Sequence, residues 1–246
     1  MSPEQVALLT LAFFAAAVLY AMVGHAGSSA YLAAMALIGV APEVMKPTAL
    51  VLNILVAILV TARFARAGFV RPMALLPFLL GSVPLAFVGG AIHLPADVYK
   101  PLVGGVLLVA AARFGLVRGQ PEEFPLRAPW ALALVTGAAL GLLAGLTGTG
   151  GGIFLTPLLL AAGWAGTRFA AGSSALFILA NSVSGLAGAI GSASALPAAI
   201  PLWLVAVAAG GVVGSELGSR RLPAIGVRRA LGAVLLIAGL KLILLG

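Results

Sequence analysis

Thr147-Gly148-Thr149-Gly150-Gly151-Gly152-Ile153-Phe154-Leu155-Thr156-Pro157 decides how this chain folds, because an uninterrupted helix cannot run through it. Four glycines in five positions are poor helix formers. The residues on both sides are nevertheless strongly apolar, from Pro129 to Leu146 before the break and from Ile153 to Gly163 after it. The second stretch makes only ~17 Å of helix at 1.5 Å per residue, too short to cross ~30 Å of hydrocarbon. The two stretches therefore read as a broken or re-entrant pair. Backbone that leaves the helical ladder at membrane depth is tolerated only where protein buries it or a wet cavity adjoins it.

Composition sets that reading in its class. Of 246 residues, 62% are hydrophobic and 8% charged, where soluble domains carry roughly 25% charged residues. A soluble enzyme, a nucleic-acid binder and a disordered chain are excluded. The apolar runs are continuous rather than alternating, which argues against a β-barrel. The expected fold is an all-α polytopic membrane protein embedded in a lipid bilayer. With no cysteine in the chain, disulfides, thiolate metal sites and cysteine catalysis are excluded. Met1–Gln5 lacks the positive start of a signal peptide, so the first apolar run is expected to persist as a helix. The net charge of +8 sits in short loops and reads as a topology signal rather than a nucleic-acid contact.

Ten apolar segments follow from hydropathy: about 3–23, 30–40, 47–62, 72–92 and 98–116, then 129–146, 153–163, 170–190, 198–217 and 227–245. The polar, proline-rich stretch 117–128 divides them into repeats 1–116 and 129–246. The halves correspond. Gly24-His25-Ala26-Gly27-Ser28-Ser29 answers Gly148–Gly152, Thr48-Ala49-Leu50 answers Ser174-Ala175-Leu176, Asn53 answers Asn181, and Gly104–Arg113 parallels Gly232–Lys241. Charge then relates them. The loop after the third segment carries Arg63, Arg66 and Arg71, while its counterpart Gly191–Pro197 is uncharged. The loop after the fourth reverses this, with His93, Asp97 and Lys100 against Arg220, Arg221, Arg228 and Arg229. Since cytoplasmic loops hold Lys and Arg, the repeats are expected to be inverted, with the linker inside and both termini outside. Inverted repeats recur in secondary transporters.

Glycine-interrupted segments at matching positions point to a transporter's binding site. Helices starting at Ser29 and Gly152 would offer unpaired N–H groups and the positive end of their dipoles. An oxyanion fits there without a dedicated cation. The candidate substrate-binding residues are Gly24, His25, Gly27, Ser28, Ser29, Asn53, Thr147, Gly148, Thr149, Gly150, Gly151, Gly152, Ser173, Ser174 and Asn181. The competing reading makes the glycines close-packing positions and the asparagines interhelical hydrogen-bonders. The break is not a nucleotide loop, because it lacks the Gly-Lys-Ser/Thr ending. His25 is the one titratable side chain in either break and the candidate proton carrier; its plainer reading is a neutral imidazole bonded to backbone. Lys46 and Arg168 are loop cations by default, and Glu216 reads as an end-of-helix ion pair. So few carboxylates make a poor cation or metal site, so the expected substrate is an anion or a neutral molecule, with no metal and no cofactor. A homo-oligomer is left open.

The order and duplication of these motifs resemble the sulfite exporter TauE/SafE family. The residues that carry the likeness are Gly148–Pro157, Ala171-Gly172-Ser173-Ser174-Ala175-Leu176, Asn181, Lys46-Pro47-Thr48-Ala49-Leu50 and Asn53. His25 and Ser28-Ser29 replace the glycine run in the first half. The resemblance implies a permease of the bacterial inner membrane that moves sulfite, sulfoacetate or a related sulfur oxyanion or organosulfonate, powered by an ion gradient. Two rivals are an intramembrane serine-type hydrolase and a non-transporting assembly factor. The hydrolase lacks a Gly-x-Ser-x-Gly nucleophile motif.

Overall fold

The structure is a computed structural model that describes residues 1–22, 24–116, 124–189, 196–220, 235–237 and 239–244, without the side chains of 113–116 and 218–220. Within these residues the chain is helical: α1 Pro3–Ala21, α2 Ser28–Leu37, α3 Pro42–Arg66, α4 Pro72–Ala91, α5 Ala96–Leu116, α6 Trp130–Thr147, α7 Gly152–Ala161, α8 Thr167–Ala189 and α9 Ile200–Arg220. Helix is also described at 235–237 and 239–244, in the last apolar stretch Leu235–Leu244, called α10. Six helices, α1, α3, α4, α6, α8 and α9, are long and apolar enough to cross a membrane. Most of linker 117–128, the uncharged loop at 191–195, and Arg221, Arg228 and Arg229 lie outside the described residues.

Local sequence explains the boundaries. Ser2 caps α1 through Gln5 N–H, with the Gln5 side chain returning the bond and Pro3 at the first position. The third segment is longer than hydropathy alone predicts, starting at Pro42 instead of 47. Lys46 is the reason. Its ammonium is not a solvated loop cation; it lies inside α3, 9% exposed, and donates to the carbonyls of Gly89 (3.1 Å), Gly90 (2.8 Å) and Ile92 (3.1 Å). Those are the open carbonyls at the end of α4, where a cation also meets the negative end of the dipole.

Packing interlocks the halves. α4 lies on α6 as α9 lies on α1; α4 meets α8 as α9 meets α3; α2 rests on α3 as α7 rests on α8. One core gathers Phe13, Tyr31 and Trp203 from α1, α2 and α9, with ring centroids 5.2 Å apart around Phe13. The other gathers Phe78, Leu140, Leu155 and Phe177 from α4, α6, α7 and α8. Each half therefore lends its fourth helix to the other half's core.

Glycine contacts give the directions. Gly137 meets Phe78, Gly141 meets Ser82 and Gly145 meets Ala86, so α4 and α6 run parallel. Gly210 meets Phe14 and Gly214 meets Val18, so α1 and α9 are parallel too. Matching elements oppose each other. Leu50 faces Gly185, Asn53 bonds Ser182 and Phe69 faces Gly172, which sets α3 against α8; Gly104 faces Ile243 while Leu108 faces Gly239, which sets α5 against α10.

Arg63 pairs with Glu216 across α3 and α9 and lies 3.4 Å from the Ser215 hydroxyl. Glu216 thus has a partner on another helix, beyond the end-of-helix pair read from its own segment.

The α4–α6 seam leaves no room for a side chain at Gly141, whose Cβ would overlap the Ser82 backbone, whereas a Cβ on Gly105 meets nothing within 4 Å. Gly141→Val is expected to lower the melting temperature in detergent by many degrees or prevent folding. Gly105→Ala should be neutral or stabilising, by up to about 1 kcal/mol from helix propensity. Thermal unfolding of the two purified variants checks the contrast.

Candidate functional site

Each half breaks its helical ladder with left-handed backbone. In the second half α6 ends on Gly148 at φ 81°, and Gly150 (φ 70°) and Gly151 (φ 79°) follow before α7 starts. A Cβ in that conformation costs roughly 1–2 kcal/mol per residue, so consecutive left-handed positions call for glycine. In the first half Gly27 (φ 102°) precedes α2. In the first turns of α2 and α7 the Ala30 and Phe154 N–H groups bond the Gly27 and Gly151 carbonyls at 3.0 and 3.1 Å, while those of Ser28, Ser29, Gly152 and Ile153 have no partner among the described residues, as at any helix start.

The two breaks, 121 to 131 residues apart in sequence, touch. Ser28 Oγ donates to the Thr149 carbonyl at 2.6 Å. His25 Nε2 lies 3.3 Å from the Gly152 carbonyl and 3.0 Å from Thr156 Oγ1. A carbonyl accepts, so the imidazole contact at Gly152 requires the proton on Nε2. Thr156 Oγ1 donates on to Ser174 Oγ at 2.7 Å. Tyr20 and Ser29 share a 2.6 Å hydroxyl contact behind α2, and Thr147 and Thr149 share one of 2.9 Å behind α7. His25 is 2% exposed and the surrounding hydroxyls are buried. The plainer reading of His25, an imidazole held by backbone, describes its geometry here.

Asn53 and Asn181 are fully buried, at 0% exposure, but do not bond each other. Asn53 Nδ2 donates to Ser182 Oγ at 2.9 Å and stands 2.5 Å from where a Cβ on Gly150 would be. Asn181 Nδ2 donates to the Phe177 carbonyl of its own helix at 2.9 Å. Both amide oxygens, and the hydroxyls of Ser173 and Thr48, are buried without a hydrogen-bond partner. Leaving such a group unsatisfied costs about 1–3 kcal/mol, so each of these atoms on α3 and α8 retains unused hydrogen-bonding capacity. Of the predicted site residues, Ser28 and His25 join the two breaks, Ser174 reaches them through Thr156 and Asn53 through Gly150, whereas Gly24 packs on Ala171 and Phe64, and Ser173 and Asn181 make no hydrogen bond to either break among the described residues. Sequence reading missed Thr156, Ser182, Tyr20 and Tyr99. Thr156 stands before Pro157 and Ser182 beside Asn181, but only the fold shows which neighbours they meet.

The surroundings differ between the two ends of the molecule. Toward the end of α3 the site is sealed: Gly24 packs on Ala171 and Phe64, Phe69 meets Phe169 edge-on at 5.3 Å, and the Arg168 guanidinium sits 5.4 Å above Phe69. Arg168 is therefore part of this seal rather than a loop cation. Toward the start of α3 a cavity of about 50 Å³ is lined by Glu43, Lys46, His93, Tyr99 and Leu146 among others. Tyr99 O–H donates to the Thr147 carbonyl at 3.1 Å, which stands between that cavity and the second break.

The family model described as "Sulfite exporter TauE/SafE" matches residues 9–242. The chain is 43% identical over 243 residues to "Probable membrane transporter protein y4hK" of Sinorhizobium fredii (strain NBRC 101917 / NGR234), covering 96% of this chain and 97% of that protein. No solved structure matches.

Two glycines with the same left-handed backbone separate strain from function-site packing. Gly39→Ala (φ 76°, open space) is expected to cost about 1 kcal/mol of backbone strain. Gly150→Ala adds overlap with Asn53 and Ser182, a further ~1–3 kcal/mol. Melting temperatures in one detergent should rank wild type, Gly39→Ala and Gly150→Ala in descending order.

Proposed function

The chain belongs to the sulfite exporter TauE/SafE family and is a multi-pass membrane transporter, not an enzyme; on that premise we propose that it is a secondary transporter of the bacterial inner membrane, moving sulfite or a related sulfur oxyanion or organosulfonate by alternating access. The cargo sits where the two breaks meet. The observation that carries this reading is the Ser28–Thr149 bond between them, which brings the two breaks together; the buried unpartnered polar atoms of Thr48, Asn53, Ser173 and Asn181 on α3 and α8 support it. Helix starts favour anions through free N–H groups and the dipole. The unused hydroxyls of Ser173 and Thr48 add donors, and Asn53 and Asn181 orient the ligand. Their free amide oxygens accept rather than donate, so a proton-bearing anion such as hydrogensulfite uses both kinds of group.

The two halves are inverted in this reading. Support comes from two independent sources: the alternation of charged loops, and the opposed directions of the matching pairs α3/α8 and α5/α10. Arg63, Arg66 and Arg71 then lie in the cytoplasm and His93 outside. The packed junction corresponds to an occluded state, sealed by aromatics toward the cytoplasm and by Tyr99 toward the outer cavity. Transport requires the breaks to part on one side at a time. His25 is the proton carrier of the cycle, since protonation would add a charge beside the Gly152 and Thr156 oxygens and change what the junction can hold.

Purified protein in liposomes is expected to move radiolabelled sulfite, and the double variant Asn53→Leu/Asn181→Leu to lose at least nine-tenths of that flux while remaining folded. Absence of flux from wild type against a panel of oxyanions and sulfonates would leave the assembly-factor role. In His25→Ala the acceleration by a pH gradient should disappear; acceleration equal to wild type removes His25 from coupling. The chain is free of cysteine, so Ala67→Cys should react with an impermeant maleimide only from the cytoplasmic side and His93→Cys only from outside. Labelling of both from one side sinks the inverted arrangement.

A further inference from the structure

The chain has three lysines, Lys46, Lys100 and Lys241, and all three gather at the end of the molecule where α3 and α5 start. Every arginine with a described side chain (Arg63, Arg66, Arg71, Arg127 and Arg168) lies at the opposite end, beside the end of α3 and the starts of α4 and α8. Retention of cations on the cytoplasmic side accounts for the arginines but runs against lysines on the outer side. Something other than topology holds them there.

Their surroundings indicate what. A hollow of about 190 Å³ opens beside the α2–α3 turn, lined by Lys100, Lys241, Gly39, Pro42 and Met45 among others, with no carboxylate in its wall. Lys241 Nζ donates to the carbonyls of Ala36 (3.1 Å) and Leu37 (2.8 Å), two bonds for three protons. Lys100 has no hydrogen bond or ion pair among the described residues. Glu4, Glu43 and Asp97 share this end, yet none forms an ion pair with a lysine there. Two lysines lining one cavity, with no carboxylate among its described lining residues, repel each other until an anion joins them. Pro42 lines both this hollow and the cavity of Lys46 and Tyr99, so the two adjoin.

We infer a second anion site, distinct from the central one: a small soluble oxyanion docks between Lys100 and Lys241 in the outer hollow and passes by Lys46 and Tyr99 toward the second break. The inference rests on the proposed transport reading for its direction, but not for the site itself. Lining a mouth with like charge raises the local concentration of an oppositely charged solute. Lys46, its three protons committed to α4, contributes field rather than a bond.

Calorimetric titration of the whole protein with sodium sulfite in a neutral detergent tests it. Lys100 makes no hydrogen bond or ion pair among the described residues, so Lys100→Glu is expected to fold, and circular dichroism and melting temperature verify that it does. Wild type should bind two sulfites per chain, Lys100→Glu one, and Lys100→Arg two. One site in wild type and none in Lys100→Glu would uphold the outer site and refute the central one. Equal stoichiometry in wild type and Lys100→Glu, including no binding by either, overturns the inference. A headgroup phosphate offers the same chemistry as a free oxyanion. In nanodiscs rich in phosphatidylglycerol the outer site must still titrate with sulfite. Its loss there, with retention in phosphatidylcholine, would assign the lysine pair to lipid and overturn docking of a soluble ion.

Discussion

Lipid offers no hydrogen bonds, so each peptide group that leaves a helix inside the bilayer has to find a partner in the protein. This chain leaves its helices twice, at 24–27 and 148–151, and joins the two departures through Ser28 to the Thr149 carbonyl and His25 to the Gly152 carbonyl. The rest of the architecture follows from that junction. α3 and α8 must cross beside it to wall it in. α2 and α7 must be short, because they start inside the protein rather than at its surface. The small-residue seams of α4 with α6 and of α1 with α9 let these helices approach closely and brace both sides.

Exchanging the fourth helices between the cores has a mechanical consequence. A half that contributes α4 to the other half's core cannot swing away as a separate block. Any relative motion of the two halves therefore amounts to movement within the interlocked bundle, near glycine corners and near contacts made by single side chains. Three such contacts stand out: Tyr99 to Thr147 near the lysine end, Arg63 to Glu216 between α3 and α9, and Lys46 to the end of α4. Each ties elements that meet near an end of the bundle, while the junction itself lies between the ends.

Charge is economical and segregated. Lys46 and Lys241 have no carboxylate partner among the described residues; they lie against the open carbonyls at the ends of α4 and α2, which a helix end supplies without any acidic residue. A bundle built this way needs no acidic residue to hold its buried ammonium groups.

The sequence by itself determined the membrane class, the number and rough extent of the apolar segments, and the family. These depend on composition and periodicity, which act locally and survive any arrangement of helices. It also marked both breaks, because glycine runs in an apolar context conflict visibly with helix. Other features were decided only by tertiary structure. Lys46 looks like a loop cation until α4 brings three carbonyls to it, and Asn53 and Asn181 look like a pair until Ser182 and the Phe177 carbonyl separate them. Thr156 lies within a recognisable motif but shows no partner, and Tyr99 carries no signal, until α7 and α5 pack beside the breaks. The physical reason is the same in each case: a polar group in lipid is defined by its partner, and these partners lie on helices far away in sequence, where no local pattern reaches.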